Sequence, residues 1–345
     1  MPMSYTHAQS SKASAALELV EDLQQRFVAA LERLAGSQCF QAVHWRRDEG
    51  RHGGGMRLEA GEEGMFNRAS VNVSQVHYDD DPARRLGSAT ALSTIIHPAH
   101  PLAPSVHIHI SYTELKSGDG YWRIMADLNP AIEDASSRDR FRQTLQAAAP
   151  THFEEAMAQG ERYFFIPALG RHRGVAHFYL EQFTSGDFSA DLALARAVGE
   201  AAIDGYVAIL ADILPGATPP SAAQLQAQLA YHTLYFFQVL TLDRGTTAGL
   251  LVHDQNDIGI LGSLPARIDR ALLATWRKRL PKPQDALLDA LLSVLPKTSP
   301  TPIDQTAKAR LAHVVRQHYR AHPEALKLQA TGNTTPATVQ QHNAG

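Results

Sequence analysis

The chain has 345 residues, 44% of them hydrophobic and 19% charged, with a formal net charge of −3 at pH 7. So much apolar side chain can bury a sizeable core, and the length allows one large α+β domain or two smaller ones. The charge balance leaves no basic footprint for nucleic acid or an anionic membrane, and the single cysteine, Cys39, excludes an internal disulfide framework and fits a reducing compartment.

The first residues lack a cationic start followed by an apolar stretch, so no signal peptide is read there. No apolar run reaches the roughly 20 residues that span a bilayer. A cytoplasmic protein is expected. Residues 1–10 read as disordered. From Ser11 to Ala35, Ala16, Val20, Leu23, Phe27 and Leu31 form one helical stripe that Gly36 ends. A strand follows at Cys39–Trp45. The Gly53-Gly54-Gly55 run then suggests a loop, lying close to a ligand or another backbone, or else a plain flexible hairpin. Arg68–His77 alternates, with Ala69, Val71 and Val73 on one side and Asn72 and Ser74 on the other. Ala91–Ile96 is an apolar strand.

The stretch His97–Pro130 is the centre of the pattern. Val106, Ile108, Ile110 and Tyr112 share one strand face, while His107, His109, Ser111 and Thr113 share the other. A Gly-containing turn leads into a return strand, Tyr121–Leu128, that carries Asp127. Ile132–Gly160 reads as mostly helical. Tyr163–Ile166 and Val175–Gln182 read as strands around a loop holding Arg171, His172 and Arg173. Asp187–Leu214 reads as a long helix ended by Pro215. After a linker, Tyr231–Leu242, Gly249–Val252 and Ile258–Leu261 read as strands, with a turn at Asp243–Thr246. Arg267–Lys278, Asp285–Val294 and Asp304–Tyr319 read as helices. The expected organisation is one α+β domain over residues 1–330 and a disordered tail over 331–345, polar from Gln329 onward.

Three constellations could carry chemistry. His107, His109 and Glu114 have the spacing of a first cupin metal motif. The second cupin motif has no match, and two histidines on a polar sheet face is the plainer reading. Asp127 could be a general base or a strand-end cap. Arg173 and Arg244, each before a glycine, could fork onto a carboxylate or form surface ion pairs. Gly-rich phosphate loops and a nucleophile elbow are absent from the sequence.

Taken in order, RRDEGRHGGGMRL, NRASVNVSQVH, HPAHPLAPSVHIHI, Tyr121-Trp122 with DLNP, Arg173-Gly174, DRGT and SLP resemble the blocks of oxygen-dependent coproporphyrinogen oxidases. The resemblance spans about residues 40–265. It implies a seven-stranded antiparallel sheet flanked by helices, a homodimer, and a cleft for a flexible tetrapyrrole. Two propionates would be oxidatively decarboxylated to vinyl groups, with molecular oxygen as co-substrate and no required metal or organic cofactor. Asp127, His107 and Arg173 would be catalytic, with Asp127 facing pyrrole nitrogens and Arg173 holding a propionate. His97, His109, Ser111, Gly54, Gly55, Trp122, Gly174 and Arg244 would bind substrate. The chain departs from the family pattern at Ser111, where an arginine is usual, and at Arg123–Ala126, where glycines precede the aspartate. Two alternatives remain open: a tetrapyrrole-binding paralogue without activity, and a cupin-like dioxygenase with a metal on His107, His109 and Glu114.

Overall fold

The computed structural model describes residues 5–62 and 64–333. Its framework is a seven-stranded antiparallel sheet ordered β1 (Gln41–Arg46), β2 (Gly53–Ala60), β3 (Phe66–His77), β4 (Leu86–Pro98), β5 (Ser105–Leu115), β6 (Gly120–Asn129) and a last strand at Ala176–Phe183. Two short strands, β7 (Phe165–Ile166) and β8 (Arg171–His172), make that last strand β9.

Each long strand alternates, so the sheet has two distinct faces. One presents Val71, Val73, Leu92, Ile108, Ile110, Trp122, Ile124 and Phe178, all buried. Helices α1 (Ser11–Ala35), α2 (Ala135–Ala148), α3 (Phe153–Phe164) and α4 (Phe188–Ile213) supply the apolar residues that cover it. The Ser10 hydroxyl accepts from the Lys12 and Ala13 amides to start α1, and Gly36 ends it. The other face is polar along β3, β5 and β6 and lies under a second apolar cluster. That cluster is built on α5 (Ala222–Thr241), α6 (Arg244–Val252), α7 (Asp257–Ile260), α8 (Arg270–Thr275), α9 (Gln284–Val294) and α10 (Gln305–Ala321). A small pair, β10 (Arg267–Ile268) with β11 (Thr301–Pro302), ties this layer together.

Several expectations need correction. Tyr231–Leu242, expected as a strand, is the C-terminal part of α5 with its capping residue Leu242, and every residue of it is buried. A helix enclosed on all sides shows no amphipathic period, so its apolar run imitates a strand. Gly249–Val252 and Ile258–Leu261 are likewise helical, and Asp243–Thr246 is the start of α6, with Asp243 as its cap. Tyr163 and Phe164 end α3. Gly53–Gly55 is not a loop but the start of β2, pressed against the backbones of β1 and β3. Residues 5–9, expected to be disordered, are ordered: the Thr6 hydroxyl donates to the Arg51 carbonyl at 2.6 Å, and Ala8 is buried, while residues 1–4 lie outside the described residues. Gln329 is also buried, and the Gly332 amide donates to Glu181 at 3.0 Å, so the chain stays packed to that point. The remainder of the expected tail, 334–345, lies outside the described residues.

Candidate active site

The polar sheet face and α5–α7 enclose a cleft with about 280 Å³ open to water-sized molecules. Its floor is made of cross-strand rungs. Ser70, Ile95, His107 and Asp127 fall on one rung. Asn72, Ser93, His109 and Met125 form the next, and Ser74, Ala91, Ser111 and Arg123 the one after. The roof includes Tyr235, Val239, Gly245, Gly249, Ile260 and Ser263, and Tyr163 and Asp243 stand at one side.

His107 and Arg173 line the cleft, and Asp127 sits fully buried behind them. The Asp127 carboxylate accepts from His107 Nδ1 at 2.9 Å, from Arg173 Nη2 at 2.7 Å and from Asn129 Nδ2 at 2.6 Å. Burial alone would raise its pKa. The Arg173 and His107 charges, with the hydrogen bonds from His107 and Asn129, outweigh burial and hold the carboxyl far below its usual range. Asp127 is therefore an ionised anchor, not a base poised near neutrality. With Nδ1 donating to Asp127, the neutral form of the His107 ring presents Nε2 to the cleft as an acceptor. Among the described residues nothing engages Nε2.

Arg173 is equally committed. Its Nη1 donates to Gln238 at 2.8 Å, and the guanidinium lies 4.5 Å from the Phe164 ring centre and 4.9 Å from that of Tyr235. The sharp turn that aims it inward uses Gly174 at φ +81°, where a Cβ would stand 2.7 Å from Asn129 Oδ1. Gly174 thus shapes the chain behind the cleft and does not line it.

His109 and Ser111 do line the cleft, and a 3.0 Å hydrogen bond joins them. Burial, then Arg123 and His107, push the His109 pKa well down, so it is neutral at pH 7. The other expected residues lie elsewhere. His97 is enclosed beneath α5, bonded to Ser105 at 2.8 Å and to the Ser263 carbonyl at 3.2 Å. Arg244 donates to the Ala330 carbonyl at 2.8 Å and lies 3.6 Å from Glu181, outside the lining. Trp122 belongs to the opposite sheet face, against Tyr112 and Phe188. Above Gly54 lies the Tyr5 ring, and a Cβ on Gly55 would come 2.6 Å from Trp45 Nε1. These glycines make room for the chain's own aromatics, and Trp45 is the one that reaches the cleft.

Glu114 falls on the face of Tyr112, opposite His107 and His109, because one strand residue inverts the side. The ligand set expected for a cupin-like centre is therefore split across the sheet. Among the described residues no group of three or more His, Cys, Asp or Glu is placed to hold a metal ion. Sequence reading also passed over Arg123, Tyr121 and Tyr163 as cleft residues. The signal for the first two was available, since both share the Asp127 side of β6 by alternation.

A family model described as coproporphyrinogen III oxidase matches residues 15–295. The mitochondrial oxygen-dependent coproporphyrinogen-III oxidase of Rattus norvegicus is 26% identical over 302 residues, covering 80% of this chain and 66% of that protein. The oxygen-dependent coproporphyrinogen-III oxidase of Prochlorococcus marinus (strain MIT 9313) is 29% identical over 320 residues, covering 81% and 88%. That of Rickettsia akari (strain Hartford) is 28% identical over 256 residues, covering 69% and 89%. The match thus takes in just under two thirds of the rat protein's length. With a family match running through the sheet, the cleft and most of the covering helices, the chain belongs to the coproporphyrinogen III oxidase family.

Proposed function

We propose that the chain oxidatively decarboxylates coproporphyrinogen III with molecular oxygen, in porphyrin biosynthesis. Each reacting propionate, –CH2CH2COOH, becomes –CH=CH2 by losing CO2, two protons and two electrons. One O2 takes up those protons and electrons as hydrogen peroxide, so two propionates consume two O2. The proposal needs no metal or organic cofactor.

The observation that carries this reading is His107, open to the cleft at Nε2 and held from behind by Asp127. In that position Nε2 accepts a hydrogen bond or proton from a pyrrole N–H. The ring becomes more electron-rich, and O2 reacts with an electron-rich ring more readily. Asp127 and Arg173 act through His107: the carboxylate sets the tautomer and stabilises the imidazolium that forms, and Arg173 fixes the carboxylate. A cleft of about 280 Å³ is near the small end of ligand sites. The short roof helices α6 and α7 would have to part as a macrocycle enters.

A homodimer and a cytoplasmic location are part of the proposal. The dimer rests on the family resemblance and not on the apolar side of α10, because Leu311, Val315 and Tyr319 are buried within the chain and Val314 packs half-buried beside them. The location rests on the single cysteine. No helix among the described residues is long and apolar enough to cross a membrane.

The test is anaerobically prepared coproporphyrinogen III mixed with the protein and O2, with products separated by vinyl content. Vinyl-bearing product supports the reading. Tight binding of unchanged substrate would instead identify a paralogue that carries tetrapyrroles without transforming them.

A further inference from the structure

Three arginines surround the polar face of β5, β6 and β9, and two of them are already occupied. Arg173 is bound to Asp127 and Gln238, and Arg244 to Ala330 beside Glu181. Arg123 differs. It lines the cleft, half-buried, and among the described residues no hydrogen bond or ion pair engages its guanidinium.

The acids near it are committed elsewhere. Asp243 accepts from the Tyr163 hydroxyl at 2.9 Å and from the Thr246 amide at 2.6 Å. Glu181 accepts from the Tyr179 hydroxyl at 2.8 Å and from the Gly332 amide at 3.0 Å. The rung of Arg123 holds only small neighbours, Ser111 on β5 and Ala91 on β4, which leave the guanidinium uncrowded. Burial opposes its charge, while Tyr179, Tyr163 and Glu181 around it more than offset that opposition, so it stays a cation. A half-buried cation without a partner costs stability unless something else satisfies it.

We propose that Arg123 is a carboxylate-recognition residue of this cleft, forking onto one propionate of the bound tetrapyrrole. The inference rests on the proposed function for the identity of the ligand. Arg123 lies four positions before Asp127, about 13 Å along β6. A macrocycle seated at His107 spans that distance with its propionate arm. Ser111, directly opposite on β5, is short and uncharged, so the guanidinium on β6 is the cation of this rung. A planar fork matches a carboxylate in two parallel hydrogen bonds, which an ammonium cannot reproduce.

The test compares two stable probes, coproporphyrin III and its tetramethyl ester, by fluorescence titration of the full chain. The parent protein should prefer the free acid. Arg123→Gln should raise the Kd of the free acid roughly 10- to 150-fold and leave that of the ester unchanged. Arg123→Lys, which keeps charge but loses the fork, should fall between parent and Arg123→Gln. Should Arg123→Gln fail to fold, Arg123→Lys alone carries the comparison. Equal weakening of acid and ester would mean that the side chain only shapes the cleft, and would overturn the proposal. Unchanged free-acid affinity in the variants, or no free-acid binding by the parent, would overturn it too. If the parent forms no vinyl product yet acid–ester discrimination depends on Arg123, the proposed reaction fails and this inference stands.

Discussion

Asp127 and Arg173 form an ion pair 2.7 Å long, with side chains 0% and 1% exposed, although 46 residues separate them in the chain. A pair so deeply enclosed is costly to create and costlier to break, because either partner left alone is a buried, uncompensated charge. Its place between β6 and the turn before β9 makes it at once a brace for the sheet edge and the support behind His107.

Removing either member should therefore show in stability before it shows in chemistry. Asp127→Asn and Arg173→Leu should each lose about 3–5 kcal/mol in denaturant unfolding. The native carboxyl titrates below its unfolded value, so its contribution is complete above the ordinary carboxylate pKa and is lost only as pH falls through the lowered one. The parent-minus-Asp127→Asn difference should accordingly stay constant from neutrality to about pH 5 and shrink in stronger acid. An unfolding midpoint in either variant equal to the parent's would show that the pair is not the brace its geometry describes.

His107 is different, because its side chain faces the cleft and is 14% exposed. His107→Gln should fold normally and bind coproporphyrin III close to the parent affinity. Its turnover of coproporphyrinogen III should fall roughly 10²- to 10⁴-fold, the usual range for a positioned acid–base group. Product formation at the parent rate would remove His107 from the chemistry.

Lys308 on α10 supplies a pH signature remote from the cleft floor. It is 4% exposed, and burial, then the Arg68 charge, lower its pKa to about 7, with Arg57 adding to the effect and Glu59 opposing it. Between that value and the ordinary lysine range the unfolded chain holds a proton that the native chain has lost. Stability should rise with pH there, by up to about 1.4 kcal/mol per unit. Lys308→Met should lack this rise when unfolding free energies are compared between pH 7 and 10. A parallel pair of curves would contradict the assignment.

Sedimentation velocity at micromolar concentration tests the proposed homodimer. A species near twice 37.7 kDa is expected. A monomer alone across that range would leave the family resemblance without this consequence.

Local pattern determined much of this protein. Alternation at Arg68–His77 and Val106–Thr113, and the stripe of Ala16, Val20, Leu23, Phe27 and Leu31, report which side of an element meets a core, and a single interface leaves that mark on the sequence. The polar row His107, His109, Ser111 was legible for the same reason, as was its place in a hairpin. Tyr231–Leu242 was not, since a segment buried on every side has no solvent face to set a period. Nor could sequence decide how the charges pair. Asp127 reads as a base, Arg173 as a clamp and Arg123 as a departure from pattern until the fold brings residues 127, 173 and 238 together and leaves 123 without a bonded partner among the described residues. Electrostatic partnership depends on a few ångströms of three-dimensional separation and on the exclusion of water, and neither is carried by spacing along the chain.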